Sequence, residues 1–75
     1  MDLQEERIGG TALLVPKGRV DSGTAPALGD RLATMLGDPI DALVLDLSGL
    51  EYISSAGFRA LLIANRTAQS RSVAL

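Results

Sequence analysis

Hydrophobic and polar positions follow two different periods along this chain, and the switches between them outline its elements. Leu3 and Ile8 bracket a polar stretch, Gly9-Gly10 follows, and "TALLVP" (Thr11–Pro16) is nearly all apolar. A Gly-Gly pair between two extended runs is a tight-turn signal. It predicts a hairpin of strands at about Leu3–Ile8 and Thr11–Pro16. Beyond Lys17–Asp21 the period changes. In "DSGTAP" (Asp21–Pro26), Ser22 and Thr24 can cap a helix, and Pro26 fits only a first helical turn. Ala25, Leu28, Leu32, Met35 and Leu36 then recur at helical spacing and form one apolar face. Gly37-Asp38-Pro39 ends that helix.

"IDALVLDL" (Ile40–Leu47) is the strongest strand signal. Its centre is apolar on both alternating faces, the pattern of a strand buried on both sides in an α/β sheet. Ser48-Gly49 breaks it, and Leu50–Ile53 is a short extended lead-in. A second helix follows at about Ala56–Gln69, capped by Ser54 or Ser55. Its apolar positions include Phe58, Leu61, Leu62 and Ala68, with Asn65 interrupting the stripe. "SVAL" (Ser72–Leu75) reads as the start of another strand. The order is β-β-α-β-α-β: an α/β fold with a small sheet of about four strands and helices packed on it. The opening hairpin is antiparallel, and right-handed crossovers make the later strands parallel.

Length and composition narrow what such a fold does. The 75 residues make one domain, 1–75. A last strand of four residues leaves its edge uncovered, so the chain is expected to be a C-terminally truncated form of a longer domain. Exposed edge and apolar surface favour a homodimer or a domain swap. Net charge is −2 and the seven basic residues are scattered, with one Tyr, one Phe and no Trp, so nucleic acid is not an expected partner. No apolar run reaches membrane-spanning length, so no direct membrane insertion is expected, and a cytoplasmic location fits. Without Cys or His, thiolate chemistry, the usual zinc sites and the commonest general base are gone. No metal or other cofactor is expected.

Ser54 and Ser55 are therefore the chemistry to explain. A nucleophilic serine needs a base, and the only lysine, Lys17, has no motif around it. "YISSAG" is not a nucleophile elbow either. The chain is expected not to be an enzyme, with no catalytic residue. Two readings of the pair remain. One hydroxyl can cap the second helix. A hydroxyl at the positive end of a helix can also be a phosphoacceptor, where a phosphate adds about −1.5 to −2 charges that the helix tolerates.

"LVLDLSGLEYISSAGFRALL" (Leu43–Leu62) closely resembles the signature of STAS domains, the fold of bacterial anti-sigma factor antagonists. "GRVDSGTAPAL" (Gly18–Leu28) resembles their second landmark, a Gly-x-Leu/Val-Asp loop before the first helix. With the hairpin, the likeness covers essentially the whole chain. It implies a STAS-like sheet that lacks the C-terminal helix and strand of the family. It also implies a regulatory role in transcription. Such an antagonist binds a partner that is both anti-sigma factor and serine kinase of the histidine-kinase-like ATPase class, and so releases the sigma factor. Phosphorylation of the antagonist ejects it, and a serine phosphatase restores it.

By the same resemblance, the phosphorylated residue is Ser55, with Ser54 the alternative. Asp21, Ser54, Ser55, Gly57 and Arg59 are implied at the partner surface. Asp21 can equally cap the first helix, Arg59 can be a solvated arginine, and Asp46 is expected to tie down its neighbouring loop. The family's Asp before the phosphoacceptor is Ser54 here, and its second hydroxyl residue is Ala56. STAS domains also serve as non-enzymatic subunits, in stressosomes and in lipid-trafficking ABC transporter complexes, and that is the alternative function.

Overall fold

The computed structural model describes residues 1–70. Strands β1 (Asp2–Ile8) and β2 (Thr11–Val20) form the antiparallel hairpin, with Ile8 opposite Thr11 across the two-glycine turn. Gly9 adopts φ 59°, the left-handed conformation such a turn requires.

β2 continues well beyond Pro16, where the sequence pattern ends it. The reason lies on its other edge, where two short strands run end to end. β3 (Ala42–Leu45) pairs parallel with Thr11–Leu14, and β4 (Leu50–Ile53) pairs parallel with Gly18–Val20. The Asp46 N–H donates to the Leu14 carbonyl oxygen at 3.0 Å, and the Gly18 N–H donates to that of Gly49 at 3.1 Å. Residues two apart share one edge of a strand, so Pro16 faces the turn between β3 and β4. Its missing N–H costs no ladder bond there. Leu50–Ile53 is thus a sheet strand rather than a lead-in, and the predicted strand at Ile40–Leu47 contracts to Ala42–Leu45. The described order is β-β-α-β-β-α. The strand expected at Ser72–Leu75 lies outside the described residues.

Helices α1 (Ala25–Leu36) and α2 (Ser55–Ser70) pack on each other and over one face of the sheet. All five apolar positions predicted for α1 are buried. They meet Ala12, Leu14 and Val20 of β2 and Leu43 of β3. α2 differs from expectation. Gly57, Ala64 and Ala68 are buried and Leu61 partly so, whereas Phe58 is 56% and Leu62 48% exposed. The spacing Gly57, Leu61, Ala64, Ala68 is itself helical, but small residues carry it, which brings α2 close to its neighbours and leaves the larger side chains off the contact. β3 is also not buried on both faces. Leu43 is buried while Val44 is 48% exposed, because the helices cover one face of the sheet.

Candidate functional site

The start of α2 is built from three residues with separate tasks. The Ser54 N–H donates to the Val20 carbonyl oxygen at 2.7 Å, tying the turn to the end of β2. The Ser54 hydroxyl oxygen accepts the Gly57 N–H at 3.2 Å, and its carbonyl accepts the Phe58 N–H at 2.9 Å. Ser54 is therefore the cap, satisfying a backbone donor that the first helical turn leaves free. Ser55, the first helical residue, is exposed, and its hydroxyl makes no hydrogen bond among the described residues. Gly57 is buried: a Cβ there would stand 2.6 Å from Val20 Cγ1 and 2.8 Å from Ile53 Cγ1. Its small size seats the helix on the sheet. The room it leaves is filled from within the fold, which corrects the expectation that it lies at the surface.

The start of α1 is organised differently. Neither Ser22 nor Thr24 makes the cap bond. Asp21 Oδ1 accepts the Gly23 N–H at 2.9 Å and the Thr24 N–H at 3.0 Å. Thr24 Oγ1 accepts the Asp21 N–H at 2.9 Å and donates to the Arg19 carbonyl oxygen at 3.1 Å, with Asp21 Oδ1 as a second acceptor at 3.2 Å. These N–H donors, chiefly that of Thr24, hold the Asp21 carboxyl below its ordinary pKa, with help from the Arg19 charge. Asp46 is engaged in the same manner. Its Oδ1 accepts the Ser48 hydroxyl at 2.6 Å and the Ser48 N–H at 3.0 Å, which lowers its pKa and pins the turn between β3 and β4.

Packing of α1 on α2 brings both helix starts to one groove of about 610 Å³. Ala25, Gly29, Ala60 and Ala64 line it with small apolar surface, and Ser22 and Ser55 both border it. Asp30 on α1 and Arg59 on α2 are its charged lining residues. Arg59 is exposed and forms no ion pair among the described residues, whose ion pairs join Arg7 to Glu5 and Asp38, and Arg31 to Glu5. Of the residues singled out in the sequence, Ser55 and Arg59 reach this groove, Ser54 and Asp21 build the turns behind it, and Gly57 is buried. Ser22 is the lining residue that sequence reasoning took for a cap. Its only signal was its place beside Asp21. Among the described residues no three His, Cys, Asp or Glu side chains cluster as metal ligands, and no helix is long and apolar enough to cross a membrane.

A family model described as "Mlab, STAS domain" matches residues 4–75. The chain belongs to the STAS family. Among solved structures, this STAS domain resembles an anti-sigma factor antagonist from Mycobacterium paratuberculosis, with 31% identity and a TM-score of 0.81 over 87% of this chain and 56% of that one. Mglu is 29% identical with a TM-score of 0.83, over 95% of this chain and 18% of that one. The phosphorylated form of the Bacillus cell fate determinant SpoIIAA has a TM-score of 0.80 over 97% of this chain and 68% of its own, but at 15% identity it speaks to the fold alone. This STAS domain thus spans just over half of the mycobacterial antagonist and under a fifth of Mglu. No curated protein matches. The small α/β fold expected from the sequence is that of its STAS neighbours, and the general class it resembles is that of the anti-sigma factor antagonists.

Proposed function

We propose that this STAS domain is an anti-sigma factor antagonist that binds an anti-sigma factor serine kinase and is switched off by phosphorylation of Ser55. The carrying observation is the division of labour between the two serines. Ser54 is committed to the Gly57 N–H, while Ser55 stands exposed on the next residue, at the positive end of α2. In the proposed reaction the Ser55 oxygen attacks the γ-phosphorus of ATP held by the kinase. The hydroxyl proton passes to a base on the kinase, and ADP leaves. A serine phosphatase then hydrolyses the ester to inorganic phosphate and the free hydroxyl. A phosphoserine carries about −1.5 to −2 charges, enough to turn a docked apolar-and-hydroxyl surface into a repelling one. Ser54 is the lesser candidate, because modifying it would remove the helix cap. In this reading Ser55 and Arg59 face the kinase, Asp21 shapes the turn beside them, the domain itself catalyses nothing, and the setting is the cytoplasm.

The test is incubation with the cognate kinase and ATP, read by intact and fragment mass analysis, together with binding of Ser55→Asp. One phosphate on Ser55, none on a Ser55→Ala chain, and lost binding by Ser55→Asp are expected. A Ser55→Asp chain that binds the kinase as tightly as wild type would end the switch reading. A second reading is a non-enzymatic STAS subunit of a stressosome or of a lipid-trafficking ABC complex. It is favoured by Phe58 and Leu62, exposed one helical turn apart on α2. Such a pair can seat a permanent partner with no phosphate involved. Co-purification with an ABC ATPase, unchanged by Ser55→Asp, would establish it.

A further inference from the structure

Arg59 is the cation nearest in sequence to Ser55 on α2, and the two are four residues apart on one helix. Residues at this spacing are neighbours on a helix surface, and an anion preceding a cation is the favourable order. Both border the α1–α2 groove, and Arg59 forms no ion pair among the described residues. The other charged lining residue is Asp30, on the opposite wall, and the nearby Asp21 carboxylate is already occupied by the Gly23 and Thr24 N–H groups. An anion at Ser55 therefore has one cation on its own wall of the groove and a carboxylate across from it.

We propose that Arg59 is an intramolecular clamp for a phosphate on Ser55. The inference rests on the reading of Ser55 as the phosphoacceptor and adds how the modified state is held. The guanidinium has planar paired donors suited to phosphate oxygens. Closed onto the phosphate, it fixes a bulky ion pair along the mouth of the groove. Phosphorylation then does two things at once. It places negative charge on the docking surface, and it withdraws Arg59 from any acidic group the kinase presents. Asp30 opposes the clamp from α1 and keeps the phosphate on the α2 side.

The deciding experiment installs phosphoserine at position 55 during synthesis of the full chain, so no kinase is needed. Phosphorus NMR then follows the second ionisation of the phosphate, about pKa 6 when unperturbed. The clamp lowers this value in the otherwise wild-type chain. Arg59→Gln raises it by about 0.3 unit or more, the size of an (i, i+4) ion pair on a helix. Asp30→Asn lowers it further. An identical titration in the wild-type and Arg59→Gln chains would overturn the clamp, even if the kinase does modify Ser55. Conversely, a kinase that leaves Ser55 unmodified would sink the parent reading while the titration still answers for Arg59.

Discussion

The two helix starts solve one problem in opposite ways. α1 begins in a self-contained loop: Asp21 accepts two N–H groups within three residues, and Thr24 closes the circle through the Asp21 N–H and the Arg19 carbonyl. α2 begins on the sheet: Ser54 is held by Val20, and Gly57 lies against Val20 and Ile53. In the first case no side chain caps the helix: the Asp21 carboxylate holds the loop before it, the threonine hydroxyl is consumed in that loop, and the Ala25 N–H goes to the Asp21 backbone carbonyl at 2.8 Å. In the second a half-buried hydroxyl does the capping, and its exposed neighbour, Ser55, is left free. The difference teaches where a switch can be placed. A residue on a turn anchored to the core can gain a charge without disturbing what anchors it. A residue whose side chain closes a self-supporting loop, as those of Asp21 and Thr24 do, cannot.

The largest effect comes from attacking the anchor. Gly57→Val puts methyl groups where even a Cβ meets Val20 Cγ1 at 2.6 Å, and Val20 is fully buried and β-branched. A loss of about 2–3 kcal/mol is expected, since overpacking outweighs the gain of replacing a helical glycine. Urea denaturation reads it; an unchanged midpoint would mean that α2 is not seated through this glycine. A smaller effect separates the adjacent serines. Ser54→Ala removes the acceptor of the Gly57 N–H and is expected to cost about 1 kcal/mol. Ser55→Ala removes an unbonded, exposed hydroxyl and stays within about 0.5 kcal/mol of wild type. Equal losses in the two variants would erase the division of labour on which the phosphoacceptor assignment stands.

α1 was legible in the sequence because its contact face is made of large residues. Leu28, Leu32, Met35 and Leu36 announce themselves by periodicity, and all are buried. α2 was not, because glycine and alanine make its contacts, and a reading that looks for large apolar side chains selects Phe58 and Leu62 instead. β4 was missed for a related reason. Its pairing depends on β2 passing through Pro16, which is allowed only because the facing edge is a turn, a tertiary fact with no local signal. At the site, sequence limited the cap to Ser54 or Ser55, since adjacent hydroxyls have similar reach. The Gly57 N–H bond to the Ser54 hydroxyl oxygen decides between them, and the turn that makes it is held by the Ser54 N–H bond to Val20, which requires the end of β2 to lie beside the start of α2. The meeting of Ser22 with Ser55 at one groove is likewise a product of helix packing.

The smallest effect is a pH dependence belonging to the start of α1 alone. The Asp21 carboxyl is held below its ordinary value of 3.8 by the Thr24 and Gly23 N–H groups and the Arg19 charge. A depressed folded-state pKa gives stability that is fully present above the unfolded value and is lost as pH falls through the folded one. Asp21→Asn keeps an oxygen that can accept the same N–H groups but has no charge to titrate. The wild-type advantage over Asp21→Asn is therefore flat from neutrality down to about pH 5 and shrinks as pH falls below the ordinary carboxylate range. Asp46, lowered by Ser48, has the same sign, but it is present in both chains and cancels in the difference. Urea midpoints taken from pH 7 to pH 2 read the effect. At α2 the cap is a hydroxyl with no ionisation in this range, so Ser54→Ala shifts the midpoint by the same amount at every pH. A wild-type advantage over Asp21→Asn that survives unchanged to pH 2 would mean that the Asp21 carboxylate holds its turn by shape alone, and the contrast between a charged and an uncharged helix start would lose its electrostatic half.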